Sequence, residues 1–302
     1  MAQATFHFPR GFLWGSATAA YQVEGNNTNS TWWAWEQEAG RIREGHKSGL
    51  ACDWWNGRWR EDFDRAAEAR QNAHRLSVEW SRIQPTPDRC DEHALDRYRD
   101  MLRGLVERDM TPMVTLHHFS DPLWLAEKGS WESGAAVEYF EPFVLKVVEA
   151  LKEYCNLWVT INEPNVFATA AYLMGEFPPG KKDLKATLKV MENLVRAHAI
   201  SYQAIHKMQP TARAGLSINY RSFNPARPGF PPDKWAAGLQ SKLFNDFFPR
   251  AAQDGIMRYP AWSKSIPEAK NTQDFIGVNY YSQDQVAFNL TKAGEMFGER
   301  FY

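Results

Sequence analysis

The feature that most constrains the fold is a regular alternation of two kinds of segment. Short apolar runs recur along the 302 residues, at 12–17, 73–78, 112–116, 157–161, 214–218 and 274–278. Each is strand-length and apolar on both faces, as strands of a covered parallel sheet are. Between them, apolar residues recur at helical spacing. Leu95, Tyr98, Leu102, Leu105 and Val106 form one stripe, and Phe140, Phe143, Val144, Val147, Val148 and Leu151 another. Leu184, Leu188, Met191, Val195, Tyr202 and Ile205 form a third, and Trp235, Leu239, Leu243, Phe244, Phe247 and Phe248 a fourth. These i, i+3, i+4 stripes predict helices packed on a sheet. Uninterrupted strand–helix alternation predicts parallel β/α architecture. The alternative to a barrel is an open doubly wound sheet, but its GxGxxG fingerprint is absent after the first run. The expected fold is therefore an α/β (β/α)8 TIM barrel, whose active site lies at the C-terminal strand ends.

Composition excludes several functions. The formal net charge is −1 and no basic run is present. That leaves no field to draw in nucleic acid or an anionic membrane. No apolar run approaches the ~20 residues that span a bilayer. The N-terminus lacks the basic and apolar regions of a signal peptide. Cys52, Cys90 and Cys155 are odd in number and far apart, so buried thiols in a reducing, cytoplasmic setting are expected rather than disulfides. Sequons at Asn26, Asn29 and Asn289 matter only in a secreted chain. The 13 Trp, 11 Tyr and 18 Phe leave two readings open. One is a large core with amphipathic residues at its rim. The other is an aromatic cleft suited to the C–H faces of sugars.

The strand ends carry clustered polar residues. The fourth run leads into Asn162-Glu163-Pro164-Asn165, the third into His117-His118, and the sixth into Asn279-Tyr280-Tyr281. The second holds Arg75, and the first leads to Gln22. In a barrel Gln22, Arg75, His118, Asn162, Glu163, Asn279 and Tyr281 converge on one mouth. Many donors and acceptors around one acid suit a polyhydroxylated substrate. A metal fits less well, because adjacent His117 and His118 point opposite ways on a strand. Structural readings stand beside these: Arg75 paired with Glu79 or another acid inside the barrel, Tyr281 in the core, and Asn279 in a turn. Glu24, Glu79 and Asp121 are read as structural. Trp32, Trp33, Trp35, Trp54, Trp55 and Trp124 are divided between mouth and packing.

Four stretches carry a resemblance. They are Phe12-Leu-Trp-Gly-Ser-Ala-Thr-Ala-Ala-Tyr-Gln-Val-Glu-Gly, Leu76-Ser-Val-Glu-Trp-Ser-Arg-Ile, Thr160-Ile-Asn-Glu-Pro-Asn and Phe275-Ile-Gly-Val-Asn-Tyr-Tyr. In this order, across nearly the whole chain, they resemble glycoside hydrolase family 1, the family of the β-glucosidases. The resemblance implies a retaining β-glycosidase that hydrolyses terminal non-reducing β-D-glycosides without a cofactor. Its partners would be a small-molecule β-glycoside or oligosaccharide. It implies Glu163 as the catalytic acid/base, with a raised pKa. It further implies Gln22, His118 and Asn162 on the sugar hydroxyls. Arg75, Asn279 and Tyr281 would support the nucleophile carboxylate.

The family's second carboxyl is a Glu in a Thr-Glu-Asn-Gly stretch at the seventh strand, and no such stretch occurs in residues 1–302. The expectation is one barrel domain over 1–302, with about six of eight units, C-terminally incomplete and with the nucleophile outside this chain. A complementary C-terminal segment or an oligomer would then complete it. The rival expectations are an inactive sugar-binding homologue and a fragment that needs a partner segment to fold.

Overall fold

The computed structural model describes residues 7–301. Its strands are β1 (Gly15–Ala17), β2 (Ala73–Ser77), β3 (Thr111–His117), β4 (Leu157–Asn162), β5 (Arg213–Pro225), β6 (Ile256–Arg258), β7 (Ser263–Ser265), β8 (Phe275–Phe288) and β9 (Gly298–Phe301). Seven form one sheet in the order β1-β2-β3-β4-β5-β8-β9, while β6 and β7 pair as a separate ribbon. β1 to β5 and β8 run parallel, and β9 returns antiparallel along β8. The six apolar runs of the sequence are these six parallel strands. β5 and β8 reach 13 and 14 residues, far beyond their apolar starts. Their outer halves pair with one another, and β9 joins that ribbon.

The sheet curls into part of a barrel. Arg75 on β2 donates from Nη1 to Ser217 Oγ on β5 at 3.3 Å. Three strand spacings separate those strands, about 14 Å in a flat sheet. A side chain closes that gap only if the sheet bends and both residues face inward.

The helices Glu92–Val106, Ala135–Leu151 and Leu184–Met208 pack on the sheet and on each other. Asp91 and Asp183 start two of them, each accepting two N–H groups of the first turn. The first two stripes are buried apart from exposed Val106, while the third and fourth are only partly covered. Val195, Ile205, Phe247 and Phe248 are buried, Leu188, Met191, Leu239, Leu243 and Phe244 half-buried, and Leu184 and Trp235 exposed. The fourth stripe is two helices, Pro231–Phe244 and Phe247–Asp254. Asn245 marks the break. Its side chain accepts from Arg221 N and donates to Arg221 O, which ties the helix end to β5.

Much of the aromatic content is packing. Trp35, Trp54 and Trp124 are buried. Trp80 stacks on Phe143 with centroids 5.2 Å apart and meets Phe140, Trp124 and Trp131. Other apolar groups stay bare. On β8, Ile276, Val278 and Tyr280 are 46, 56 and 56% exposed, and Phe12, Leu13 and Trp14 are exposed before β1.

A buried polar cluster ties the loops that follow β1, β2 and β3. Glu24 accepts from Arg82 Nε and from Tyr98 OH, both at 2.7 Å. Glu79 accepts from Asn27 Nδ2 at 2.7 Å, Ser120 Oγ at 2.9 Å and Ser81 Oγ at 3.3 Å. Arg82 bonds Glu24, and only its field reaches Glu79. Burial first, then the Glu24 charge, push the Glu79 carboxyl up to about 8.

Two outcomes follow from this packing. Trp80→Ala lowers unfolding stability by about 3–5 kcal/mol in urea titrations. The native state also holds a proton on Glu79 that the unfolded chain releases above its ordinary carboxylate range. Stability therefore falls as pH rises from 7 to 8, a window in which the buried His74 and His198, held down at about 4, are neutral. Melting temperatures of Glu79→Gln across that window should be flat.

Candidate active site

Arg75 organises the interior end of the sheet. Besides Ser217, it donates from Nε to Thr115 Oγ1 at 2.8 Å and from Nη2 to Asn162 Oδ1 at 2.6 Å. Burial lowers its pKa to about 10, against the opposing fields of Glu163 and Tyr281, so it stays a cation at neutral pH. It makes no bond to Glu79. Instead, Asn279 bridges from β8 to β4. Its Nδ2 donates to Asn162 Oδ1 at 3.2 Å and to Glu163 Oε1 at 2.6 Å. Its Oδ1 accepts from Ser217 Oγ at 2.9 Å.

Glu163 sits where β4 ends and the helix Pro164–Ala168 begins. Its backbone is left-handed, with φ 43° and ψ 57°. That conformation costs a non-glycine residue roughly 1–2 kcal/mol. A bulge in β4 between Val159 and Asn162 precedes it, and its N–H donates to Ser217 O at 2.6 Å. Pro164 occupies the first helical turn, where no N–H is required. Together these re-aim the strand-end side chain into the mouth. Asn219 Nδ2 donates to Glu163 Oε2 at 3.3 Å. Burial raises the Glu163 pKa, while the bonds from Asn279 and Asn219 and the charges of Arg75 and Arg221 oppose the rise. A carboxyl whose pKa is raised by burial holds its proton more readily than a solvated one, which suits it to general acid work.

The other expected residues divide. His118 is close enough to Arg75 to feel its charge; burial first, then Arg75 and His117, lower it to about 3. It is therefore a neutral imidazole. Tyr281 lies in the fields of Glu163 and Arg75 and is 75% exposed, not in a core. It falls in a bulge, where β8 spends three residues against two of β5. Gln22 is exposed on the short helix Ala20–Val23, whose first N–H is held by Ser77 Oγ, and it lies outside the hydrogen-bonded cluster. His117 points outward, bonded to buried Asp121 at 2.9 Å among Trp131, Phe140 and Phe167. No group of three or more His, Cys, Asp or Glu side chains among the described residues is placed to hold a metal. Sequence reading missed Asn219, Ser217 and Thr115. Asn219 directly follows the fifth apolar run, the position in which the other strand ends were read.

Parallel β/α strands curled around a strand-end carboxyl define a class of (β/α)-barrel proteins, and comparison narrows it. The chain matches the family model for Glycosyl hydrolase family 1 over residues 4–297. It is 30% identical to a 1,4-beta-D-glucan glucohydrolase of Thermotoga neapolitana over 299 residues, covering 93% of this chain and 70% of that protein. It is 30% identical to Beta-glucosidase A of Thermotoga maritima over 301 residues, covering 93% and 67%. Among solved structures, a beta-glycosidase from Pyrococcus horikoshii superposes with a TM-score of 0.89 at 35% identity, covering 97% of this chain and 67% of that one. A family 1 β-glucosidase from Thermotoga maritima gives 0.92 at 28%, covering 98% and 70%. The chain belongs to glycosyl hydrolase family 1 and is a glycoside hydrolase by lineage. Among the described residues no helix is long and apolar enough to cross a membrane.

Asn279 stabilises the charged form of Glu163. Asn279→Ala should therefore raise the Glu163 titration midpoint, followed by side-chain carboxyl NMR.

Proposed function

We propose that this chain carries the acid/base side of a retaining β-glycosidase site acting on terminal non-reducing β-D-glycosides of the β-glucoside type. The observation that carries the reading is the placement of Glu163. It is a buried carboxyl with a raised pKa, at a strand end, held by two amide donors and in the field of the half-buried Arg75. Glu163 protonates the glycosidic oxygen as the bond breaks, then takes a proton from the attacking water. Asn162, His118 and Gln22 bind sugar hydroxyls. His118, being neutral, offers one donor and one acceptor without adding charge.

Retention needs a second carboxylate roughly 5–5.5 Å from the first. Arg75, Asn279 and Tyr281 are the groups that hold it. Arg75 is bonded only to neutral partners among the described residues, so a carboxylate there gains a charge-assisted partner. That carboxylate arrives on a complementary segment. The bare face of β8 and the apolar start of β1 are the surfaces such a segment covers. Only Cys155 is the buried thiol expected, since Cys52 is exposed and Cys90 half-buried; that all three are free accords with a reducing, cytoplasmic setting.

The test is hydrolysis of phenyl and 2,4-dinitrophenyl β-glucosides. It uses the 302-residue chain alone and with the C-terminal third of a full-length relative added in trans. The expected result is turnover only with the added segment. Glu163→Gln then loses about 10²–10⁴-fold on the phenyl substrate and far less on dinitrophenolate, which leaves without a proton. Equal losses on both substrates, or none, would refute the acid role. Sugar binding without turnover in the complemented protein would identify a non-catalytic sugar-binding homologue instead.

A further inference from the structure

A cavity of about 680 Å³ lies against the short helix that Glu163 starts, and Val166, Thr169 and the outer half of β5 help wall it. Two residues of β5 connect it to the carboxyl. Asn219 bonds Glu163, and Arg221, two positions on and so on the same strand face, lines the cavity. The apolar walls are Leu173, Phe177, Phe223, Phe244 and the two methionines Met174 and Met296. They offer a second sugar ring few hydrogen-bond partners, whereas a flat aromatic ring fits between phenyl and thioether surfaces.

The charges in the cavity are unevenly matched. Arg221 pairs with fully buried Asp284 at 3.3 Å, and Glu295 pairs with Lys292 at 2.9 Å. Glu176 is exposed at the rim, where solvent screens it. Arg300 is half-buried on β9 and lines the cavity. Among the described residues it has no carboxylate within ion-pair distance. A partly desolvated guanidinium between apolar walls favours a planar carboxylate, which it binds in a two-pronged fashion.

We propose that this cavity receives the leaving group of the glycoside, and that the leaving group it selects is an aryl ring bearing a carboxylate paired with Arg300. The proposal rests on the reading of Glu163 as the acid/base. The two can be tested apart, because free aglycone binding needs no turnover.

The probes are 4-hydroxybenzoate and its methyl ester, titrated into the 302-residue chain with ¹³C-methyl-labelled methionine. Signals of Met174 and Met296, assigned with the single Met→Leu variants, report entry into the cavity. The acid should perturb both and bind about tenfold more tightly than the ester, with an advantage that shrinks as salt rises. Arg300→Gln should erase that advantage, and Arg300→Lys should retain part of it. Circular dichroism of both variants establishes that they are folded. Equal binding of acid and ester, an advantage that survives Arg300→Gln, or no perturbation at about 10 mM ligand each overturns the proposal. Acid-selective binding in a complemented protein without Glu163-dependent turnover leaves the anion site standing and overturns the catalytic reading alone.

Discussion

The guanidinium of Arg75 is bonded to residues of β3, β4 and β5, and these bonds tie the curvature of the sheet to the electrostatics of its interior. A half-buried cation is costly to desolvate unless neighbours accept its hydrogen bonds. Thr115, Ser217 and Asn162 accept three of them and reach it only in a bent sheet, so the bend and the charge support each other. The same charge suppresses protonation of His118 and opposes the rise of the Glu163 pKa. After burial, the larger cause for the imidazole, this one group helps keep it neutral and tempers the carboxyl. The amides of Asn162 and Asn279 carry the connection onward to Glu163, and they do so without adding a charge that would need its own counter-ion.

Irregular backbone gathers where these side chains meet. β4 bulges just before Glu163, and β8 bulges at Tyr281. Regular strands alternate their side chains between core and lumen with period two. A site that needs consecutive residues such as Asn162 and Glu163 on the same side must break that period. The bulges and the left-handed residue supply the break. The loops behind the first three strands are held differently, by the Glu24–Arg82–Tyr98 and Glu79–Asn27–Ser120 bonds, so the mouth is rigid on one flank. The opposite flank is the long ribbon of β5, β8 and β9.

Most of the architecture was legible because parallel strands covered on both faces must be apolar throughout. All six could be counted from their side chains alone. The outer halves of β5 and β8 were not legible, because Tyr220-Arg221-Ser222 and Ser282-Gln283-Asp284 carry the polarity of a solvated ribbon and mimic loop. Splitting the fourth helical stripe at Asn245 was equally invisible, since the apolar spacing runs on through a break made by a side chain bonding a distant strand. Of the site, the strand-end residues could be named but not their partners. Asn279 reads as turn chemistry until β8 is placed beside β5. Asn219 follows directly on an apolar run and precedes Tyr220-Arg221, so it reads as the first residue of a loop. Glu79 was read as structural, and it sits among three buried donors.

The left-handed backbone of Glu163 sets local stability against chemistry at a single position. Glycine or asparagine would occupy those dihedral angles at lower cost, and either would let the chain fold at least as well. A search for more stable variants that scored folding alone would therefore drift away from glutamate here. Any campaign to harden this protein against heat should hold residue 163 fixed and take its gains from the helix ends and the surface.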